Sequence, residues 1–126
     1  MPQITLEYTD NISFPNDKEN FFKNLHNVVS TNADTNINNC KSRLIKLENY
    51  FTEDGRQKSA GFIHLEVKLL EGRTQEIKDN LGNNTLSFLK KTFITEENKE
   101  SVQITFHIID INRKSYFKYP EGTFKK

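Results

Sequence analysis

One arrangement constrains this chain more than any other, and it occurs twice: an alternating apolar segment, a stripe at helical spacing, then a second alternating segment. From Gln3 to Thr9, Ile4, Leu6 and Tyr8 fall on one side and Thr5 and Glu7 on the other, the period of a half-buried strand. Asp10-Asn11 closes it, and Phe14-Pro15-Asn16-Asp17 offers a turn with an Asn or Asp helix cap. Phe21, Phe22, Leu25, Val28 and Val29 recur every three or four residues, which predicts a helix over about residues 17–31. The polar, Asn-rich run from Thr31 to Asn39 reads as a loop. A second strand follows from about Cys40 to Phe51, with Arg43, Ile45, Leu47, Asn49 and Phe51 on one face.

The second passage starts after the turn Glu53-Asp54-Gly55-Arg56. Ala60 to Leu70 alternates Ile63, Leu65, Val67 and Leu69 against His64, Glu66 and Lys68. The Gly-containing connection between these two strands suggests a hairpin. Gly72 ends the third strand, and Thr74 can cap a helix carrying Ile77, Leu81, Thr85, Phe88, Leu89 and Phe93. Gly82 interrupts that stripe and weakens the helix by about 1 kcal/mol relative to Ala. A fourth strand spans Ser101 to Ile111, with Val102, Ile104, Phe106 and Ile108 on one face, and Tyr116-Phe117-Lys118-Tyr119 reads as a short extra strand. Strands joined by a helix favour parallel pairing. The expected product is an α+β, two-layer fold. Two βαβ halves, about residues 2–54 and 55–126, form one four-stranded mixed sheet with two helices on one face.

A chain of 126 residues suits one domain. Its apolar fraction is 34%, about 38% with the five glycines included, where about 45–50% is usual. Disorder does not explain the shortage, because aromatics reach 11% and the net charge is only +1. Two helices cover one sheet face and leave the other open, and Phe62, out of phase with Ile63, Leu65 and Val67, adds an apolar group there. Oligomerisation would cover it. With 18 Lys and Arg against 17 Asp and Glu there is no basic excess for a nucleic acid, and Lys118-Tyr119 and Lys125-Lys126 are too few to make one. No apolar run is long enough to span a membrane, and no signal peptide precedes the first strand, so the expected compartment is the cytoplasm. Cys40 is the only cysteine, and His26, His64 and His107 lack metal-ligand spacing.

Pro2 follows Met1 directly and leads straight into a strand. Methionine is commonly removed when the second residue is as small as proline, which would leave a secondary amine on a rigid element. Such an amine titrates near 7.7–8.0 when unperturbed, and burial beside cations lowers that value. A neutral amine at pH 7 can act as a general base.

Met1-Pro2 running into Ile4-Thr5-Leu6-Glu7-Tyr8-Thr9-Asp10-Asn11, then Lys41-Ser42-Arg43, the Asp54-Gly55 turn, Phe62-Ile63-His64-Leu65, Glu71-Gly72-Arg73 and the closing Tyr116-Phe117-Lys118 lie in one order over nearly the whole chain. In this the chain resembles the 5-carboxymethyl-2-hydroxymuconate Δ-isomerase family of the tautomerase superfamily. The resemblance implies a homotrimer with the sheets around a central axis, and Pro2 as the catalytic base. It implies a small tricarboxylate substrate, isomerised from an unsaturated 2-hydroxy acid to its 2-oxo form in aromatic catabolism (the homoprotocatechuate route), with no metal or organic cofactor. Lys41, Arg43 and Arg73 are the expected substrate-binding set. Arg73 follows a glycine at the start of a helix, and its planar fork suits a carboxylate. Lys41 stands where the family pattern reads Arg-Ser-Arg, keeping the charge without the fork. His64 is expected to be structural. Two alternatives are a phenylpyruvate-type tautomerase, whose substrate carries one carboxylate, and a catalytically silent trimeric binding module.

Overall fold

The computed structural model describes residues 1–120, so Lys125 and Lys126 lie outside the described residues. Strands β1 (Gln3–Thr9) and β2 (Lys41–Leu47) run parallel and are joined by helix α1 (Lys18–Ala33). Strands β3 (Gly61–Leu70) and β4 (Val102–Ile111) repeat the arrangement around helix α2 (Gln75–Phe93). The two halves meet through an antiparallel β1–β3 pair, giving the strand order β2-β1-β3-β4. This is the four-stranded mixed sheet the alternation predicts.

Local chemistry explains the helix starts. Asp17 caps α1 by accepting a hydrogen bond from the Asn20 backbone N–H at 3.0 Å, and Thr74 caps α2 through the Ile77 N–H at 3.2 Å. Phe21, Leu25 and Val29 of α1 and Leu81, Leu89 and Phe93 of α2 pack on Ile4, Leu6, Ile63, Leu65 and Val67 of the sheet. Burying each large aliphatic side chain is worth about 1.5–3 kcal/mol. The core is unusually aromatic. The Phe14 ring lies 4.9 Å from Tyr8, 5.1 Å from Phe21 and 5.4 Å from Phe93, so the loop before α1 closes one end of the helical layer.

Three sequence expectations need correction. First, β2 and β3 do not form a hairpin, because β1 lies between them. The hydroxyl of fully buried Thr9 donates to Asn11 Oδ1 at 2.7 Å and accepts from the Phe62 N–H at 3.1 Å, while Asn11 Nδ2 donates to the Ala60 carbonyl at 2.9 Å. These bonds dock the start of β3 on the end of β1. Second, β2 stops at Leu47 rather than Phe51: the Asp10 N–H takes the Leu47 carbonyl at 3.0 Å, and the chain then leaves the sheet with Phe51 exposed. Third, Tyr116 to Tyr119 form no strand; a 3-10 turn at Arg113–Ser115 precedes them.

The open face mixes charged and apolar groups. Register places Lys41, Arg43, Thr5, Glu7, His64, Glu66, Lys68, Thr105 and His107 there, with Ile45, Leu47, Phe62, Leu70, Ile109 and Ile111 as its apolar members. Among the described residues, no helix is long and apolar enough to cross a membrane.

Two glycines give opposite expectations for stability. A Cβ on Gly82 would meet nothing within 4 Å, so Gly82→Ala should stabilise the protein by about 0.5–1 kcal/mol. A Cβ on Gly61 would lie 2.8 Å from both Thr9 Oγ1 and Asn11 Oδ1, which are fixed to each other, so Gly61→Ala should cost about 1–3 kcal/mol. Urea unfolding midpoints of the two variants check both signs.

Candidate active site

Topology alone gathers the interesting residues. Because β1 and β2 run one way and β3 and β4 the other, β1 and β2 begin at the sheet edge where β3 and β4 end. The last register pair of the second half is Leu70 with Ile111, and the first of the other half is Gln3 with Lys41. Met1, Pro2, Cys40, Lys41, Arg73 and Arg113 therefore converge from four separate stretches of sequence. The Pro2 carbonyl accepts the Lys41 N–H at 3.1 Å, tying the chain start to β2. Proline costs nothing here, since a residue preceding the strand needs no ladder donor.

Arg73 is held rather than free. Its Nε donates to the Ala33 carbonyl and its Nη1 to the Leu70 carbonyl, each at 2.9 Å. It thus clasps the last turn of α1, which carries no basic residue of its own, to the end of β3. Burial, and then the charge of Arg113, lower the pKa of this guanidinium. Nη2 makes no hydrogen bond among the described residues and is available to an anion.

The chain-terminal amine sits in this group. Its pKa is lowered from 8.0 to about 6, first by burial and then by Arg73, with Arg113 and Lys41 adding to the effect and Cys40 opposing it. In the chain as described this amine belongs to Met1, whose side chain is 5% exposed; Pro2 is buried directly behind it. While Met1 is present the Pro2 nitrogen is an amide and has no basicity. Removing Met1 would move the amine inward by one residue, about 3.8 Å along the chain. It would also vacate the space that the Met1 side chain fills.

Of the four residues singled out from sequence, Pro2, Lys41 and Arg73 share this edge. Arg43 lies one strand position further in on the open face, where its Nη1 donates to Gln3 Oε1 at 2.8 Å, and it is not among the groups acting on the amine. Arg113 is the residue the sequence reading missed. Forty positions separate it from Arg73, and the only signal was its place just past the fourth alternating segment.

Other reactive groups lie elsewhere. His26 Nε2 and Ser42 Oγ are 2.6 Å apart between α1 and β2, with the histidine pKa lowered by burial. The Cys40 thiol is buried and its pKa raised by that burial. His64 is hydrogen bonded to Thr105 Oγ1 at 2.6 Å and Glu66 Oε2 at 3.2 Å on the open face, away from the amine. A cavity of about 480 Å³ lined by Glu7, Phe62, His64 and Thr105 opens on that face near the opposite sheet edge. No group of three or more His, Cys, Asp or Glu could hold a metal among the described residues.

Comparison with known proteins identifies the fold and the family. A search of curated proteins returns no match. A 5-carboxymethyl-2-hydroxymuconate isomerase from Deinococcus radiodurans R1 is 26% identical, with a TM-score of 0.82 over 93% of this chain and 87% of that one. A 5-carboxymethyl-2-hydroxymuconate delta-isomerase is 19% identical, with a TM-score of 0.76 over 100% of this chain and 94% of that one. A fused 4-OT wild type symmetric trimer is 15% identical, with a TM-score of 0.72 over 94% and 93%. The model of the 5-carboxymethyl-2-hydroxymuconate isomerase family matches residues 2–121. Because that match spans nearly the whole chain, this chain belongs to the 5-carboxymethyl-2-hydroxymuconate isomerase family.

Proposed function

We propose that this isomerase uses Pro2, freed by removal of Met1, as the general base for a 2-hydroxydienoate polycarboxylate such as 5-carboxymethyl-2-hydroxymuconate. The observation that carries the reading is the setting of the chain start next to Pro2: burial, and then Arg73, Arg113 and Lys41, lower the Met1 amine from 8.0 to about 6, and an amine on Pro2 would lie one residue further in. The Pro2 nitrogen takes the substrate's hydroxyl proton. The oxygen's electrons become the 2-oxo group, the double bonds shift along the chain, and the distant carbon takes the proton back from the ammonium. Atoms and electrons balance with no cofactor. Arg73 offers Nη2 to the carboxylate or the developing oxyanion, in a setting where a preorganised cation is worth most. Lys41 adds a flexible charge on the opposite side, and Arg43 reaches the site through Gln3, the neighbour of Pro2.

The same cations work in two directions. They hold the anionic substrate, and they keep the amine neutral so that it can accept a proton near pH 7. Covering the apolar members of the open face fits assembly as a homotrimer, and the fused 4-OT relative is described as a symmetric trimer.

Five outcomes are expected. Pro2→Ala should lower kcat/KM for 2-hydroxymuconate-type dienols by about 10²-fold or more, in line with the loss of a positioned base. A preparation shown by mass spectrometry to retain Met1 should be inactive, and equal rates for wild type and Pro2→Ala would end the reading. The log of kcat/KM should rise with pH and level off above the amine pKa, because the protonated amine is no base. Arg73→Ala removes a neighbouring cation and should move that limb to higher pH, as read from the pH–rate profile. On a sizing column the protein should elute at about three times its 14.8 kDa chain mass.

A further inference from the structure

We propose that Arg113 is a second carboxylate receptor of this site, paired with Arg73, so that the site selects substrates carrying at least two carboxylates. The inference rests on the reading above and adds a residue to it.

The placement follows from register. β3 and β4 end together at Leu70 and Ile111, which sets Arg113 beside Glu71 and Gly72, one step before Arg73. Two bonds fix the Arg113 stem: its Nε donates to the Glu71 carbonyl at 2.9 Å, and its backbone N–H donates to Glu71 Oε2 at 3.2 Å. The Glu71 carboxylate thus faces the Arg113 backbone and forms no ion pair with the guanidinium among the described residues. The free end of the fork passes over Gly72. Nη2 lies 3.8 Å from where a Cβ on Gly72 would stand, and Gly72 itself has a φ of +126°, a conformation suited to a residue without a side chain.

Two guanidinium groups are therefore held close enough for Arg113 to depress the pKa of Arg73, and both act on the terminal amine. Neither forms an ion pair with a carboxylate among the described residues. Asp34 and Asp110 favour the charged form of Arg73 from further away, and Asp110 is bound instead by Lys78 at 2.9 Å. Like charges held together with no anion between them oppose folding. The arrangement suits a ligand that brings the missing negative charges, and each fork keeps an Nη2 for a carboxylate.

The test compares wild type, Arg113→Gln and Arg113→Lys on a monocarboxylate dienol (phenylenolpyruvate) and a dicarboxylate dienol (2-hydroxymuconate). Binding of the unreactive pair adipate and hexanoate is measured by calorimetry. Charge-assisted hydrogen bonds of this kind correspond to about a 10- to 100-fold change in affinity. Arg113→Gln should raise KM for the dicarboxylate at least tenfold more than for the monocarboxylate, and should erase the preference for adipate over hexanoate. Arg113→Lys, which keeps the charge and loses the fork, should fall between. Equal changes for both substrates, or an unchanged adipate preference, would overturn the proposal. If Arg113→Gln does not fold, Arg113→Lys decides by the same ratios. The adipate measurement does not depend on turnover, so it judges Arg113 even if Pro2→Ala shows that Pro2 is not the base.

Discussion

Where β1 passes into its exit loop, the buried Thr9 hydroxyl and the Asn11 amide bind the backbone of Ala60 and Phe62, and this junction sets the second half of the molecule against the first. Each half is a parallel pair with a helix crossover and could be completed locally. Their antiparallel joining at β1 and β3 is what turns four strand ends toward one edge. Had β3 folded back on β2, β1 would be an edge strand, and the chain start would lie away from the ends of β3 and β4. The position of the amine among Arg73, Arg113 and Lys41 is therefore a consequence of pairing between residues some fifty positions apart in sequence.

The site works against the stability of the fold that carries it. A chain with a formal charge of +1 has charges enough of both signs to pair its cations, yet two guanidiniums and a partly buried amine are grouped without an ion pair to a carboxylate among the described residues. Part of the cost is offset by the fold itself, since Arg73 satisfies carbonyls at the ends of α1 and β3. The remainder is borne by the core, whose phenylalanines reach from the loop before α1 to the end of α2. Removing Arg73 would thus disturb hydrogen bonding at two element ends as well as the field at the amine.

Much of this was legible in the residues. Alternation identified the buried face of β1, β3 and β4, the three-and-four spacing identified the helix stripes, and Asp17 and Thr74 announced the helix starts. The crossover rule supplied both parallel pairs. The hairpin was misread because Asp54-Gly55 reports only that the chain reverses, while the neighbour of β3 is chosen by the Thr9 and Asn11 side chains. Arg113 stayed hidden for a related reason. Its contact with Glu71 and Gly72 depends on the length and register of two ten-residue strands, which composition and local spacing do not encode.

The burial of Met1 has a bearing on when the protein matures. A peptidase that cleaves the Met1–Pro2 bond must take the terminus in an accessible, extended form, yet in the folded chain Met1 is 5% exposed and Pro2 is already tied to β2. Cleavage is therefore favoured on the nascent chain, before β2 has emerged to pair with β1. If Pro2 is the base, as proposed, synthesis and processing race at this terminus: a chain that folds first seals its own methionine inside and carries an amide at Pro2 in place of the amine. On that reading the fraction of competent molecules in a preparation is set by the rate of cleavage relative to folding, not by the stability of the finished fold.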